Sequence, residues 1–242
     1  MPNCKVLVAG DTALVVDFGD RVDLQVSAKV LSLARRLNEL RIVGVNEMVP
    51  TIRSLSIYYE PLSLSTVALQ ERVLELMQDL QTSEISGRTW QLPVCYDAAL
   101  APDLSDVADH SGLSRSQVIE LHSGVTYHVY MLGFLPGLAY LGDVPDELAL
   151  PRRENPRPRI PAGSVGIAAN MTCVYPMDTP CGWHLVGRSP VPLWDLSRET
   201  GALLAAGDKV KFKPLSLREY ERGLSRARSA VRQVHPAIEN AV

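Results

Sequence analysis

Between His122 and Arg188, glycine or proline interrupts every apolar run before a long helix could form. The stretch opens with H-S-G-V-T-Y-H-V-Y-M-L-G-F-L-P-G-L-A-Y-L-G, continues through P-R-R-E-N-P-R-P-R-I-P-A-G-S from Pro151 to Ser164, and closes with Y-P-M-D-T-P-C-G-W-H-L-V-G-R. Glycine opens positive φ to the backbone, and proline fixes φ and removes a donor, so the pattern calls for short strands between turns. Runs of this kind from Val125 to Phe212 predict a small barrel or sandwich, with Lys209 to Lys213 as a closing strand.

The chain before it is patterned differently. Lys5–Ala9 and Ala13–Phe18 read as strands, and Val22–Leu40 carries apolar residues at threes and fours, with Asp20 or Asp23 available as a cap. Val43–Val49 and Leu55–Tyr59 are again strand-like, and a second helix follows from about Ser65 to Leu80, capped by Ser63 or Ser65. Two helices on one side of a small antiparallel sheet bury these faces, which makes an α+β layer of residues 1–84. The polar stretch Q-T-S-E-I-S-G-R, Gln81 to Arg88, reads as a linker to a second domain over residues 88–232. That domain is expected to start with a strand at Trp90–Tyr96 and two short helices capped by Asp103 and Ser114, and to end in a basic helical tail from Leu215 to Arg232.

Composition narrows the function. Twenty-four lysines and arginines against 27 acids give a net charge of −3, so no global field favours nucleic acid or an anionic membrane, and any basic site is local. No apolar run approaches the roughly 20 residues that a membrane helix needs. The N-terminus lacks a secretory pattern, and the dispersed Cys4, Cys95, Cys173 and Cys181 read as reduced thiols of a cytoplasmic protein. Neither G-x-x-x-x-G-K-[ST] nor G-x-G-x-x-G nor G-x-S-x-G occurs, and no H-E-x-x-H or paired C-x-x-C suggests zinc. Cys173, Cys181 and His184 are the nearest approach to a ligand set, and buried thiols beside an ordinary histidine explain them as well.

Arg152, Arg153, Arg157 and Arg159 lie among Pro151, Pro156, Pro158 and Pro161. Guanidinium groups on so stiff a backbone suit carboxylate or phosphate, while local pairing with Glu154, Asp143 or Glu147 is the alternative. His122, near a helix end, reads either as a dipole partner or as a catalytic group. The N–H groups at Gly163 and Ser164 read either as a turn or as an anion cradle.

The ordered set His122-Ser123-Gly124, Tyr127, Gly133-Phe134, Pro136-Gly137, Ala139-Tyr140-Leu141, Pro151-Arg152-Arg153, Pro156-Arg157, Pro161-Ala162-Gly163-Ser164, Tyr175-Pro176, Gly182-Trp183 and Gly187-Arg188 resembles the B-subunit family of 5-oxoprolinase, also called allophanate hydrolase subunit 1 or the Kip-inhibitor (KipI) family. The resemblance implies an α+β fold: a small N-terminal α+β domain, then a cyclophilin-like β-barrel. It implies a hetero-oligomer in which a related barrel protein, the C subunit, and a separate A subunit join this chain in the ATP-dependent opening of 5-oxoproline to glutamate. ATP with Mg would serve that complex, with no cofactor or metal evident on this chain. A carboxyltransferase-like role, as in urea carboxylase, and a non-enzymatic role in inhibiting a histidine kinase are the alternatives that the family offers.

Within this frame His122 and Arg157 are the expected catalytic residues. Arg152, Arg153, Gly163 and Ser164 are expected to bind an anion, and Tyr127, Phe134, Tyr140 and Trp183 to shape the pocket for an amide or lactam. The chain leaves the family pattern at Met171, which stands where the family carries glutamine, and at Cys181 and His184. These departures point to altered specificity or lost activity.

Overall fold

A computed structural model describes residues 4–78, 80 and 87–234. The chain divides into two compact units, Met1–Gly87 and Arg88–Val242. Residues 81–86 of the expected linker lie outside the described residues.

In the first unit, strands β1 (Lys5–Val8) and β2 (Ala13–Asp17) precede helix α1 (Leu24–Leu40), and strands β3 (Val45–Pro50) and β4 (Ser54–Tyr59) precede helix α2 (Thr66–Gln78). The sheet runs β1-β2-β4-β3 and is antiparallel throughout. Alternation puts Leu14, Val16, Leu55, Ile57 and Tyr59 on one face, where Val30, Leu33 and Leu37 of α1 and Leu69 and Val73 of α2 cover them. Burying each such leucine or isoleucine contributes roughly 1.5–3 kcal/mol. Asp23 is the α1 cap, its carboxylate accepting from Val26 N at 2.8 Å, and α1 therefore starts after Val22, which is 39% exposed. Val43 is 83% exposed, because Gly44, at φ 93°, turns the chain just before β3 begins.

The second unit opens with β5 (Thr89–Cys95), followed by helices α3 (Leu104–Ser111) and α4 (Arg115–Gly124). Strands β6 (Thr126–Leu132), β7 (Ala139–Gly142), β8 (Arg157–Ile160), β9 (Ser164–Ala168), β10 (Met171–Val174), β11 (Thr179–Cys181), β12 (His184–Arg188) and β13 (Lys209–Leu215) follow, then helix α5 (Leu217–Val234). Seven of these strands close a barrel in the order β10-β7-β6-β13-β5-β12-β9, while β8 and β11 form a separate ribbon. The fold class is thus the expected mixture of helices and sheet with a barrel. The pairing of β13 with β5 is parallel, so the last strand closes the barrel against the first. Val94, Val129, Leu141, Val165, Ile167, Val186 and Phe212 fill the core. Ser114 caps α4 through a capping box with Gln117. Asp103 precedes α3 but makes no side-chain capping bond, since its carboxylate is engaged elsewhere. No helix among the described residues is long and apolar enough to cross a membrane.

Candidate functional site

On the barrel unit a cavity of about 110 Å³ opens where β7, β10 and β11 meet the loops beside them. Tyr140 of β7 stands next to Cys173 of β10 by strand register, and Trp183, just after β11, meets Tyr140 edge-on with ring centroids 6.0 Å apart. Phe134 forms the rim. It is 69% exposed and has φ 69° in the turn between β6 and β7, a conformation that bulky residues rarely adopt and that concentrates at functional sites. Two backbone bonds hold that turn, from Gly133 N to Leu138 O at 3.1 Å and from Leu138 N to Leu135 O at 3.1 Å.

The floor is polar but neutral. Burial pushes the Cys173 thiol well above its ordinary value. Burial, then the neighbouring Cys173 and Cys181, do the same to the Tyr175 phenol. The Cys181 sulfur lies 3.1 Å from Tyr175 Oη and accepts from Trp183 N at 3.2 Å. No histidine or carboxylate bonds it among the described residues, so the base that a cysteine nucleophile needs is not at hand. His184 Nε2 is turned to the carbonyl of Pro151 at 3.1 Å, and no group of three His, Cys, Asp or Glu among the described residues is arranged to hold a metal.

Charge enters from one side chain. Arg152 is exposed at the cavity and has no ion pair among the described residues. Its neighbours are spent: Arg153 donates to Asp103 Oδ1 at 2.9 Å, and Arg157 grips the same carboxylate at 2.8 and 2.6 Å. Arg159 pairs with Asp178 at 2.6 Å. An unpaired guanidinium beside aromatic walls, with no carboxylate or histidine in the lining, is chemically suited to a small anion with a flat apolar body.

Of the residues singled out from sequence, the structure brings Phe134, Tyr140, Arg152 and Trp183 together at this cavity, with Cys173 and Cys181 beside them. It puts His122 in the core rather than at a reacting surface. That ring is 0% exposed, stacks on Phe212, and has Tyr96 Oη 2.8 Å from Nδ1 and Thr172 Oγ1 3.0 Å from Nε2. Tyr127 is buried beside it and donates to the His122 carbonyl. The expected role of Arg157 in the reaction is displaced by its two bonds to Asp103. The expected anion cradle is closed as well: Gly163 N donates to Tyr175 O at 2.7 Å and Ser164 N to Pro161 O at 3.3 Å, so neither N–H is free. Sequence reasoning missed Asp103, because an aspartate before a helix reads as a cap. It also missed Tyr175 and Leu138, whose place in the lining follows from strand pairing alone.

A family model, the carboxyltransferase domain, subdomain C and D, matches residues 4–204. The Bacillus subtilis (strain 168) protein named as the B subunit of 5-oxoprolinase is 38% identical over 225 residues, spanning 87% of this chain and 92% of its own length. Its namesake in Escherichia coli O157:H7 is 40% identical over 215 residues, 88% of this chain and 97% of its own. Among solved structures, TTHA0988 superposes with a TM-score of 0.75 at 37% identity over 84% of this chain; the match takes up 40% of the TTHA0988 chain.

Proposed function

The chain belongs to the B-subunit family of 5-oxoprolinase, and on that premise we propose that it is one member of a complex that opens 5-oxoproline to glutamate at the expense of ATP. The observation that carries this reading is the cavity itself, with unpaired Arg152 at its mouth and Tyr140 and Trp183 as walls. The substrate is a flat lactam ring bearing a carboxylate. Arg152 meets the carboxylate, and the aromatic walls take the ring and keep water from its apolar edge.

The lining supplies neither general base nor nucleophile, so the chain binds and orients while the reacting groups come from its partners, the A and C subunits. ATP fits the chemistry. Phosphorylating the lactam carbonyl oxygen makes its carbon electrophilic enough for a first water to attack; the C–N bond then breaks as the nitrogen takes up a proton, leaving an acyl phosphate, and a second water displaces phosphate to give the carboxylate. A cavity of about 110 Å³ lies far below the roughly 300–1,000 Å³ of pockets that hold drug-sized ligands, so this cavity takes the lactam and not the nucleotide.

The test is ADP release by the chain assembled with its cognate A and C subunits, with and without 5-oxoproline. Stimulation by 5-oxoproline is expected, and an intact complex whose ADP release ignores it would sink the proposal. In the same assay Arg152→Ala should raise KM for 5-oxoproline roughly tenfold to a hundredfold with little change in kcat, the cost of one charge-assisted contact that is equal in ground and transition states. The family model's own description favours one other reading, carboxyl transfer, which requires dependence on bicarbonate and a biotinylated carrier instead.

A further inference from the structure

Asp103 stands at the entry to α3, yet its carboxylate faces away from the helix and is 2% exposed. It accepts from Arg153 Nη1 at 2.9 Å, Arg157 Nη1 at 2.8 Å, Arg157 Nη2 at 2.6 Å and Leu185 N at 2.7 Å, and its own N–H donates to Leu185 O at 3.0 Å. One acid therefore joins the start of α3, the strand β12, the strand β8 and the loop that leads into it. The loop is fixed a second time by Arg153 N, which donates to Gly182 O at 2.8 Å, and Gly182 lines the cavity. Arg152 is the next residue along. With the acid saturated by Arg153 and Arg157, Arg152 is left uncompensated and presented at the cavity mouth.

We propose that Asp103 is a positioning residue: through Arg153 and Arg157 it holds the Pro151–Arg157 segment against Gly182, and so places Arg152 to receive an anionic ligand. The anion being 5-oxoproline rests on the function proposed above; the clamp does not. Asp103 itself does not line the cavity, so removing its carboxylate acts on an anionic ligand through the freed segment and the one charged side chain it presents, Arg152.

The experiment is a double-mutant cycle of Asp103→Asn and Arg152→Ala in the assembled complex, read as KM and kcat for 5-oxoproline. Asp103→Asn should raise KM about tenfold and leave kcat within about twofold, and Asp103→Glu should recover much of that loss. In the Arg152→Ala background, Asp103→Asn should add nothing to KM. Effects that multiply in the double variant overturn the proposal, because a general weakening of the fold is indifferent to Arg152. A second readout needs no substrate: trypsin should cut the isolated Asp103→Asn chain after Arg152 or Arg153 about tenfold faster than the parent. Unchanged cutting there also overturns it. Faster cutting, combined with a KM that ignores Arg152→Ala, upholds the clamp and removes the assignment of the cavity to 5-oxoproline. Should Asp103→Asn not fold, Arg153→Gln breaks the same link from the other side and must give the same dependence on Arg152.

Discussion

Burial suppresses the chemistry for which histidine is usually chosen at His122, where the ring is held neutral with its pKa pushed down to about 3. The neutral ring donates through one nitrogen and accepts through the other, and the hydroxyls of Tyr96 and Thr172 can serve either part. In the unfolded chain the same ring titrates near 6.5. Between those values the unfolded state binds the extra proton, so the contribution of His122 is fully present above about 6.5 and declines by about 1.4 kcal/mol per pH unit as pH falls toward about 3. His128 adds to the trend: burial first, then the charge of Lys209, lower its pKa, against Asp143. Unfolding by urea between pH 6.5 and 5, above most carboxylate titrations, should show this slope, and His122→Gln should reduce it to the smaller part that His128 contributes; a profile already flat in the parent would mean that the ring is hydrated. The motif of which His122 is part was visible in the sequence. Its burial was not, because Tyr96, Thr172 and Phe212, which enclose it, are brought there by pairings between distant strands. Arg152 is the converse case: its chemistry was legible among four arginines, but only the ion pairs of its neighbours set it apart.

Turns rather than strand interiors decide which elements are interchangeable. Gly163 sits at φ 82°, and a Cβ there would lie 2.2 Å from the carbonyl oxygen of Ser189, a backbone atom that cannot move aside alone. Gly163→Ala should therefore cost at least about 2 kcal/mol. Gly112, at φ 67° with nothing within 4 Å, is the control for φ alone, and Gly112→Ala should cost about 1 kcal/mol. Urea midpoints measure both, and equal losses would show that the clash at Ser189 is relieved by the backbone. At this scale the sequence was most readable where a stripe meets a cap, as in α1 with Asp23 and α4 with Ser114. It was least readable where one residue type has two uses. Asp103 has the position of a cap and the bonds of an anchor, with burial raising its pKa but the bonds from Arg157 and Leu185 and the charges of Arg157 and Arg153 prevailing and holding it below the ordinary carboxylate range.

Each of the two units has a core of its own, and the barrel unit is stitched at its ends by Asp208, which is 3% exposed and accepts from Arg88 N at 2.8 Å and Trp90 Nε1 at 2.8 Å. A fragment of residues 88–234 should accordingly unfold in one cooperative transition with native-like near-UV dichroism, whereas residues 88–204 should not fold. A cooperative 88–204 fragment would show that β13 is dispensable. The family match stops at residue 204, before β13 begins, so the strand that completes the barrel lies beyond the matched region. Short apolar runs and turns were enough to suggest a barrel. The closing strand was legible as well, in the alternation of Lys209 to Lys213, but its partner was not, since the parallel register of Lys209 with Thr89 joins residues whose separation no local pattern spans.

That register also sets an order of events during synthesis. The ribosome delivers β5 early and β13 last, and until Lys209–Leu215 has left the exit tunnel β5 lacks its parallel neighbour and β6 one of its own. Until that last strand arrives the barrel cannot close, and the edges of β5 and β6 that β13 covers in the folded chain have no strand to pair with.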